Sequence, residues 1–235
     1  MHRLWHFRLC PNSRAIRMAL SEAGFAYTLA EERPWEWRQQ FLAINPAGEL
    51  PVLELSDGPV ISGAYAIGEF VAEEVAANPP PSPNGLAPPN LFPGNREQRA
   101  EVRRLVDWFL FKMQREVTRE IIQERVYARA VAGQNHVPDQ ATLAACRSNL
   151  RYHLSYIGFL AYQRRWLGGD LMSFADIAAA AQLSCLDYLG EVPWAEHPNT
   201  RDWYARLKSR PTMRPILAER VPGTPPPLHY TVLDF

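Results

Sequence analysis

Asn45-Pro46-Ala47-Gly48-Glu49-Leu50-Pro51-Val52-Leu53 is a loop that turns into a short apolar run at a proline. Pro46 and Gly48 punctuate the loop, and Pro51 stands where a strand opens. Proline has no amide to give to a sheet ladder, so it is confined to strand starts, edges and bulges. An X-Pro bond at a strand start is also a place where a cis peptide can be built in. The amide and carbonyl beside it stay free to pair with something extended. Taken alone, the same grammar describes an ordinary loop-to-strand turn, so the flanking segments decide.

Before it, Leu4 to Leu9 reads as a first strand, broken by Cys10-Pro11-Asn12-Ser13. Ser13 to Gly24 carries apolar residues at helical spacing, with Gly24 as its stop. Phe25 to Leu29 reads as a second strand, and Glu31 to Phe41 as a polar, tryptophan-bearing connection with room for a short helix. After the proline, Pro51 to Leu55 is the third strand, Ser56-Asp57-Gly58 a hairpin turn, Val60-Ile61-Ser62 a fourth strand and Ala64 to Val75 a helix. Asn78 to Gly94 contains seven prolines and no periodicity, so it reads as a stiff linker at a domain boundary.

Beyond the linker the pattern is helical. Glu97 to about Ala132 reads as one long helix whose Val102, Leu105, Val106, Phe109, Met113, Val117, Ile121 and Val126 form a buried stripe. Its other face is crowded with charge, Arg115 and Arg119 included. A second helix is expected over Asp139 to Trp166, stopped by Gly168-Gly169. Ser173-Phe174-Ala175-Asp176 reads as a capping box with Asp in place of Glu. The small apolar run that follows suits a helix buried on most sides. Asn199 to Lys208 is a further helix.

Composition narrows the class. The 235 residues are 47% hydrophobic, with a formal net charge of zero. That is chain enough for one large or two small cores, and the balance of charge argues against a nucleic-acid groove binder. No run of about 18 apolar residues predicts a membrane span, and Met1-His2-Arg3-Leu4-Trp5 enters a strand without the apolar region of a secretory signal. Cys10, Cys146 and Cys185 are too widely spaced for a disulfide framework or metal site, which makes a reduced, cytoplasmic setting the default.

Asn-Pro-x-Gly-x-Leu-Pro-Val-Leu resembles the start of the third strand in the thioredoxin-like half of glutathione S-transferases, and the order βαβ then ββα is the pattern of that half. The Ser173–Asp176 box before an Ala-rich helix is similar to the central helix of that family's C-terminal domain. Arg210-Pro211 and Arg214-Pro215 match its Arg-Pro ending. The resemblance implies an α/β plus all-α chain. A thioredoxin-like domain takes residues 1–77, a Pro-rich linker 78–95, an all-helical domain 96–220 and a C-terminal tail 221–235.

It also implies a glutathione site at Cys10, Leu50, Pro51, Gly63 and Ala64. Cys10 takes the position of the reactive residue, and a helix start there is expected to lower its pKa. Ser13 stands where a second cysteine would allow dithiol exchange. Active members carry an acid and a serine where this chain has Gly63 and Ala64, so weak or absent glutathione binding is expected.

Four stretches resemble a narrower, glutathione-transferase-like family of bacterial cell-division proteins. They are Glu32-Arg33-Pro34-Trp35-Glu36, Leu105-Val106-Asp107-Trp108-Phe109 with Arg115-Glu116-Val117, Asp187 through Trp194, and the ending His229-Tyr230-x-x-Leu233-Asp234-Phe235. This implies a non-catalytic homodimer, with no cofactor, in the cytoplasm at the division site. Such a protein binds FtsZ, alters its filaments and acts on septal wall synthesis through FtsW and FtsI. Trp35, Trp37 and Arg38 are then expected as exposed interface anchors. Arg115 and Arg119 provide a charged face, and Leu233, Asp234 and Phe235 a terminal peptide ligand. Two other readings stand beside this one. One is a Cys10-dependent glutathione transferase or thiol reductase; the other is a binder of small hydrophobic ligands in the cleft between domains.

Overall fold

The computed structural model describes residues 1–79, 88–133 and 136–232. The prolines at 80–83 and the terminal Leu233-Asp234-Phe235 fall outside those residues.

The first half is a four-stranded sheet in the order β2-β1-β3-β4 with helices packed on it. β1 (His2–His6) pairs in parallel with β2 (Tyr27–Glu31), Leu4 facing Leu29. β3 (Val52–Glu54) pairs antiparallel with β1, Leu4 against Leu53. β4 (Val60–Ser62) pairs antiparallel with β3, Leu53 against Ile61. Between β1 and β2 runs α1 (Pro11–Glu22), and α3 (Ala64–Ala77) follows β4. Leu4, Leu53, Ile16, Leu20, Ile67 and Val71 close this core at 0% exposure.

Both early strands shift from the sequence expectation for local reasons. Phe7 leaves the ladder because its carbonyl takes the Cys10 amide in a turn. Phe25 closes the end of α1 by donating to Leu20, so the second strand starts at Tyr27. α1 begins at Pro11, a residue suited to the first helical position, with Cys10 as its cap. The polar connection holds a single 3₁₀ turn (Pro34–Glu36) and then α2 (Gln39–Ile44).

The second half is helical. A rod runs over residues 96–132, composed of α4 (Arg96–Asp107), a π-helical stretch (Trp108–Thr118), α5 (Arg119–Ile122), a second π stretch (Gln123–Tyr127) and α6 (Ala128–Ala132). All eight residues of the expected stripe are buried. Its last step, Ile121 to Val126, is five residues. A π turn carries one more residue than an α turn, so it keeps both on the core face.

α7 (Gln140–Gln163) is capped by Asp139, whose carboxylate accepts the Ala141 amide at 3.0 Å. α8 (Phe174–Tyr188) is buried at every position. Asp176 accepts the Ser173 amide and hydroxyl, each at 3.0 Å, which completes the capping box. Its other oxygen takes the Leu167 amide and the Trp203 indole, so no acceptor at this buried corner is left bare. α9 (Pro198–Lys208) and α10 (Arg214–Ala218) complete the bundle. The two halves meet chiefly where α1 lies along α8.

The chain after α10 packs back in part, as far as it is described, while Leu233, Asp234 and Phe235 lie outside the described residues. Tyr230 is fully buried, edge-on to Tyr188 with ring centroids 5.1 Å apart. His229 reaches the buried Asp187 at 3.1 Å, and its carbonyl accepts from Lys208. His229 and Tyr230 therefore pack on their own helices, while Leu228 and Val232 stay exposed.

Candidate functional site

Three backbone features converge where the family resemblance implies a glutathione site. Cys10 caps α1, and its thiol accepts the Ser13 amide at 3.4 Å. The Leu50–Pro51 peptide is cis and brings the Leu50 carbonyl to 3.7 Å from the Cys10 sulfur. The Gly63 amide donates to the Pro51 carbonyl at 3.0 Å. This sets the start of α3 beside the same corner. A cavity of about 420 Å³ opens there, lined by Leu50, Gly63, Ala64 and Asn12, by the polar side chains of Glu49, Ser62, Tyr65 and Glu69, and by Leu110 and Phe111 from the rod. Of the five residues expected at a glutathione site, Leu50, Gly63 and Ala64 line this cavity, while Cys10 and Pro51 adjoin it through the Leu50 carbonyl and the Gly63 amide.

The chemistry of the corner is weaker than its shape. Gly63 caps α3 with no side-chain hydrogen bond, and Ala64 follows it. The helix start keeps its amides and partial positive charge, but no acid or hydroxyl from these two positions helps it. Cys10 is 7% exposed. Burial pushes its thiol above the usual range, against hydrogen bonds from Ser13 and Asn12 and the charge of Arg14. The expected lowering of its pKa is therefore overturned: a helix start stabilises a thiolate only where water or a partner cation also reaches the sulfur. Arg14, one turn on, is itself buried and spent on the Arg8 carbonyl and the Ser184 hydroxyl.

The expected partner-binding residues separate into different settings. Trp35 is not a free anchor. It is half-buried, edge-on to Phe7 at 5.0 Å and 4.9 Å from the ring of Tyr127 on the rod. Trp37 is 63% exposed and holds a left-handed backbone at φ 47°. Its ring lies over Gly48, where an added Cβ would come within 3.0 Å of it. Arg38 pairs through two nitrogens with Glu32, a carboxylate 1% exposed. Arg115 and Arg119 are exposed on the rod beside Glu116 and Glu120. Sequence reading missed Tyr127 and Phe7, the partners of Trp35. The available signal was the five-residue step to Val126, which moves the neighbouring Tyr127 toward the sheet.

Among the described residues no group of His, Cys, Asp and Glu could hold a metal ion, and no helix is long and apolar enough to cross a membrane.

Comparison with known proteins places these features in a family. The model of the glutathione S-transferase N-terminal domain matches residues 9–74, and that of the glutathione S-transferase C-terminal domain matches residues 121–211. The chain is 41% identical to FtsZ-localized protein A of Caulobacter vibrioides over 99% of this chain and 97% of that protein. Its fold superposes on a glutathione S-transferase from Sinorhizobium meliloti 1021 with a TM-score of 0.91 and 43% identity, covering 100% of both chains. It superposes on FzlA from C. crescentus with a TM-score of 0.90 and 40% identity, covering 100% of this chain and 99% of that one. With a thioredoxin-like sheet, a cis-proline corner and a central buried helix all in place, the chain belongs to the glutathione S-transferase family.

Proposed function

We propose that this protein is a non-catalytic member of the family that binds FtsZ filaments at the division site and regulates constriction. The observation that carries the reading is the likeness along the whole chain to a protein named for its localisation with FtsZ. The start of α3 supports it. Gly63 and Ala64 offer no side-chain partner to a charged ligand, and the Cys10 thiol is held neutral by burial. The enzyme alternative, a transferase or reductase acting through Cys10, needs an accessible thiolate at that position.

In this reading Trp37 and Arg38 form one contact with the filament, braced from behind by Trp35. Exposed Trp and Arg side chains on a supported loop suit an interface centre. Arg115 and Arg119 form a second, charged contact. The protein acts as a cytoplasmic homodimer, and Leu233, Asp234 and Phe235 reach the septal wall enzymes FtsW and FtsI. The test is localisation in the bacterium that carries the gene. A fluorescent fusion is expected to gather at midcell only while FtsZ is assembled, and Trp37→Ala is expected to disperse it. A fusion that stays at midcell after FtsZ depletion would overturn the reading.

A further inference from the structure

α7 turns a face to solvent that the core does not use. Residues 140–166, the helix and its end, hold four arginines and five Phe, Tyr and Trp side chains but no aspartate or glutamate. The core is reached by Leu150, His153, Leu154, Ile157 and Leu160. None of the five rings is buried: Tyr152 is 61% exposed, Phe159 55% and Tyr162 81%, and Tyr156 and Trp166 are half-buried. Tyr152, Tyr156, Phe159 and Tyr162 recur at steps of three and four, which sets them on one side of the helix. The stripe from Tyr152 to Tyr162 runs about 15 Å at about 1.5 Å per residue.

The charge beside that stripe is unbalanced. Arg147 shares the buried Glu191 with Arg125, and Arg164 shares Glu101 with Arg104, so each carboxylate offsets one of two guanidiniums. Arg151 is matched by Glu196 at 3.0 Å. Arg165 has no ion pair among the described residues, and neither has Arg206, whose guanidinium lies 5.0 Å from the centre of the Trp166 ring. The exposed Asp170 beyond the helix offsets this excess only in part. Rings and arginines on one helix face, with no acid among them, are the composition of a helix lying in a lipid–water interface. The rings settle at headgroup depth, and the guanidiniums meet phosphates. A straight stripe meets a flat surface along its whole length, and the positive excess complements an anionic one.

We infer that the outer face of α7 docks on an anionic lipid surface. Phe159 and Tyr162 enter the headgroup layer, and Arg165 and Arg206 meet the lipid phosphates. The inference uses none of the residues assigned to glutathione, to the filament or to the septal wall enzymes. It does not depend on filament binding, so either reading can fail alone.

The test is flotation of the full-length protein with large unilamellar vesicles of phosphatidylcholine, with and without about 30 mol% phosphatidylglycerol. The protein is expected to partition onto the anionic vesicles about tenfold more strongly than onto the neutral ones. It is expected to be released at about 1 M salt, where the screening length falls to about 3 Å. Phe159→Ser combined with Tyr162→Ser is expected to weaken partitioning about tenfold at unchanged melting temperature, because both side chains stand outside the core. Arg165→Glu, a change of two charges, is expected to weaken it about tenfold or more. No flotation with either vesicle, equal flotation with both, or flotation indifferent to the serine pair would overturn the proposal. So would a dimer that the serine pair dissociates, which would assign the stripe to a second copy of the chain.

Discussion

On the proposed reading glutathione binds weakly because Gly63 and Ala64 supply no acid or hydroxyl at the start of α3, and restoring one group tests it. Ala64 opens this helix at 4% exposure and lines the 420 Å³ cavity. A serine hydroxyl and an acid at positions 64 and 63 would each make a hydrogen bond to the charged end of the ligand. Bonds of that kind contribute about 1.5–3 kcal/mol each. Their joint absence removes about 3–6 kcal/mol, which takes a micromolar ligand, near −8 kcal/mol, to between about 0.1 mM and about 10 mM. Ala64→Ser returns one bond and is expected to tighten binding by about 10- to 150-fold. Gly63→Glu is different. An added Cβ there meets nothing within 4 Å, but φ is +89°, and an L side chain in a left-handed backbone costs about 1–2 kcal/mol. It is expected to lower the melting temperature even though the space is open. The assay is calorimetric titration of glutathione into the wild type and each variant, with thermal melts alongside. A micromolar dissociation constant for the wild type would refute the reasoning, since the backbone amides alone would then suffice.

Other consequences follow from buried groups. Cys10 in the native protein is expected to react with iodoacetamide about a hundredfold more slowly than in urea, as a local opening of about 3 kcal/mol would require; a native rate equal to that of the unfolded thiol would restore the enzyme reading. Lys208 and Asp187 form an ion pair at 3.3 Å, both at 0% exposure, where burial pushes the lysine down and the aspartate up. Lys208→Met leaves Asp187 with too little compensation and is expected to lose about 3–5 kcal/mol in urea titration. Tyr230→Ala is expected to cost about 3–5 kcal/mol by opening a cavity beside Tyr188; a loss under about 1 kcal/mol would mean that the tail does not pack as described. His6 is buried and its pKa is lowered to about 3, first by burial and then by Arg17, Arg8 and Arg14. The unfolded chain takes up this proton near pH 6.5 and the folded one only near 3. Its contribution is therefore whole above pH 6.5 and falls as the pH drops, by about 1.4 kcal/mol per unit. His6→Gln is expected to flatten that part of the pH–stability curve.

The parts of the fold legible in the sequence are those fixed by local chemistry. Pro51 marked a strand start because proline cannot give an amide to the ladder. The eight stripe residues of the rod marked its buried face, and Ser173 with Asp176 marked the start of α8. The less legible parts depend on partners far along the chain. Trp35 looks like a surface residue in its polar segment, and only the arrival of Tyr127 turns it inward. Cys10 looks like an activated thiol at a helix start, and only its burial at the junction with the helical domain reverses that. His229 and Tyr230 look like part of a free peptide until Asp187, Lys208 and Tyr188 are placed beneath them. In each case the local signal was sound and a tertiary contact outweighed it.

The central claim, that this chain works by holding FtsZ filaments, is tested most directly by co-sedimentation with FtsZ from the same bacterium, with and without GTP. The account predicts that the protein pellets only when filaments form, and that Trp37→Ala and Arg115→Ala lower the pelleted fraction at unchanged melting temperature. A protein that stays in the supernatant at concentrations on the order of ten times a micromolar dissociation constant would contradict it.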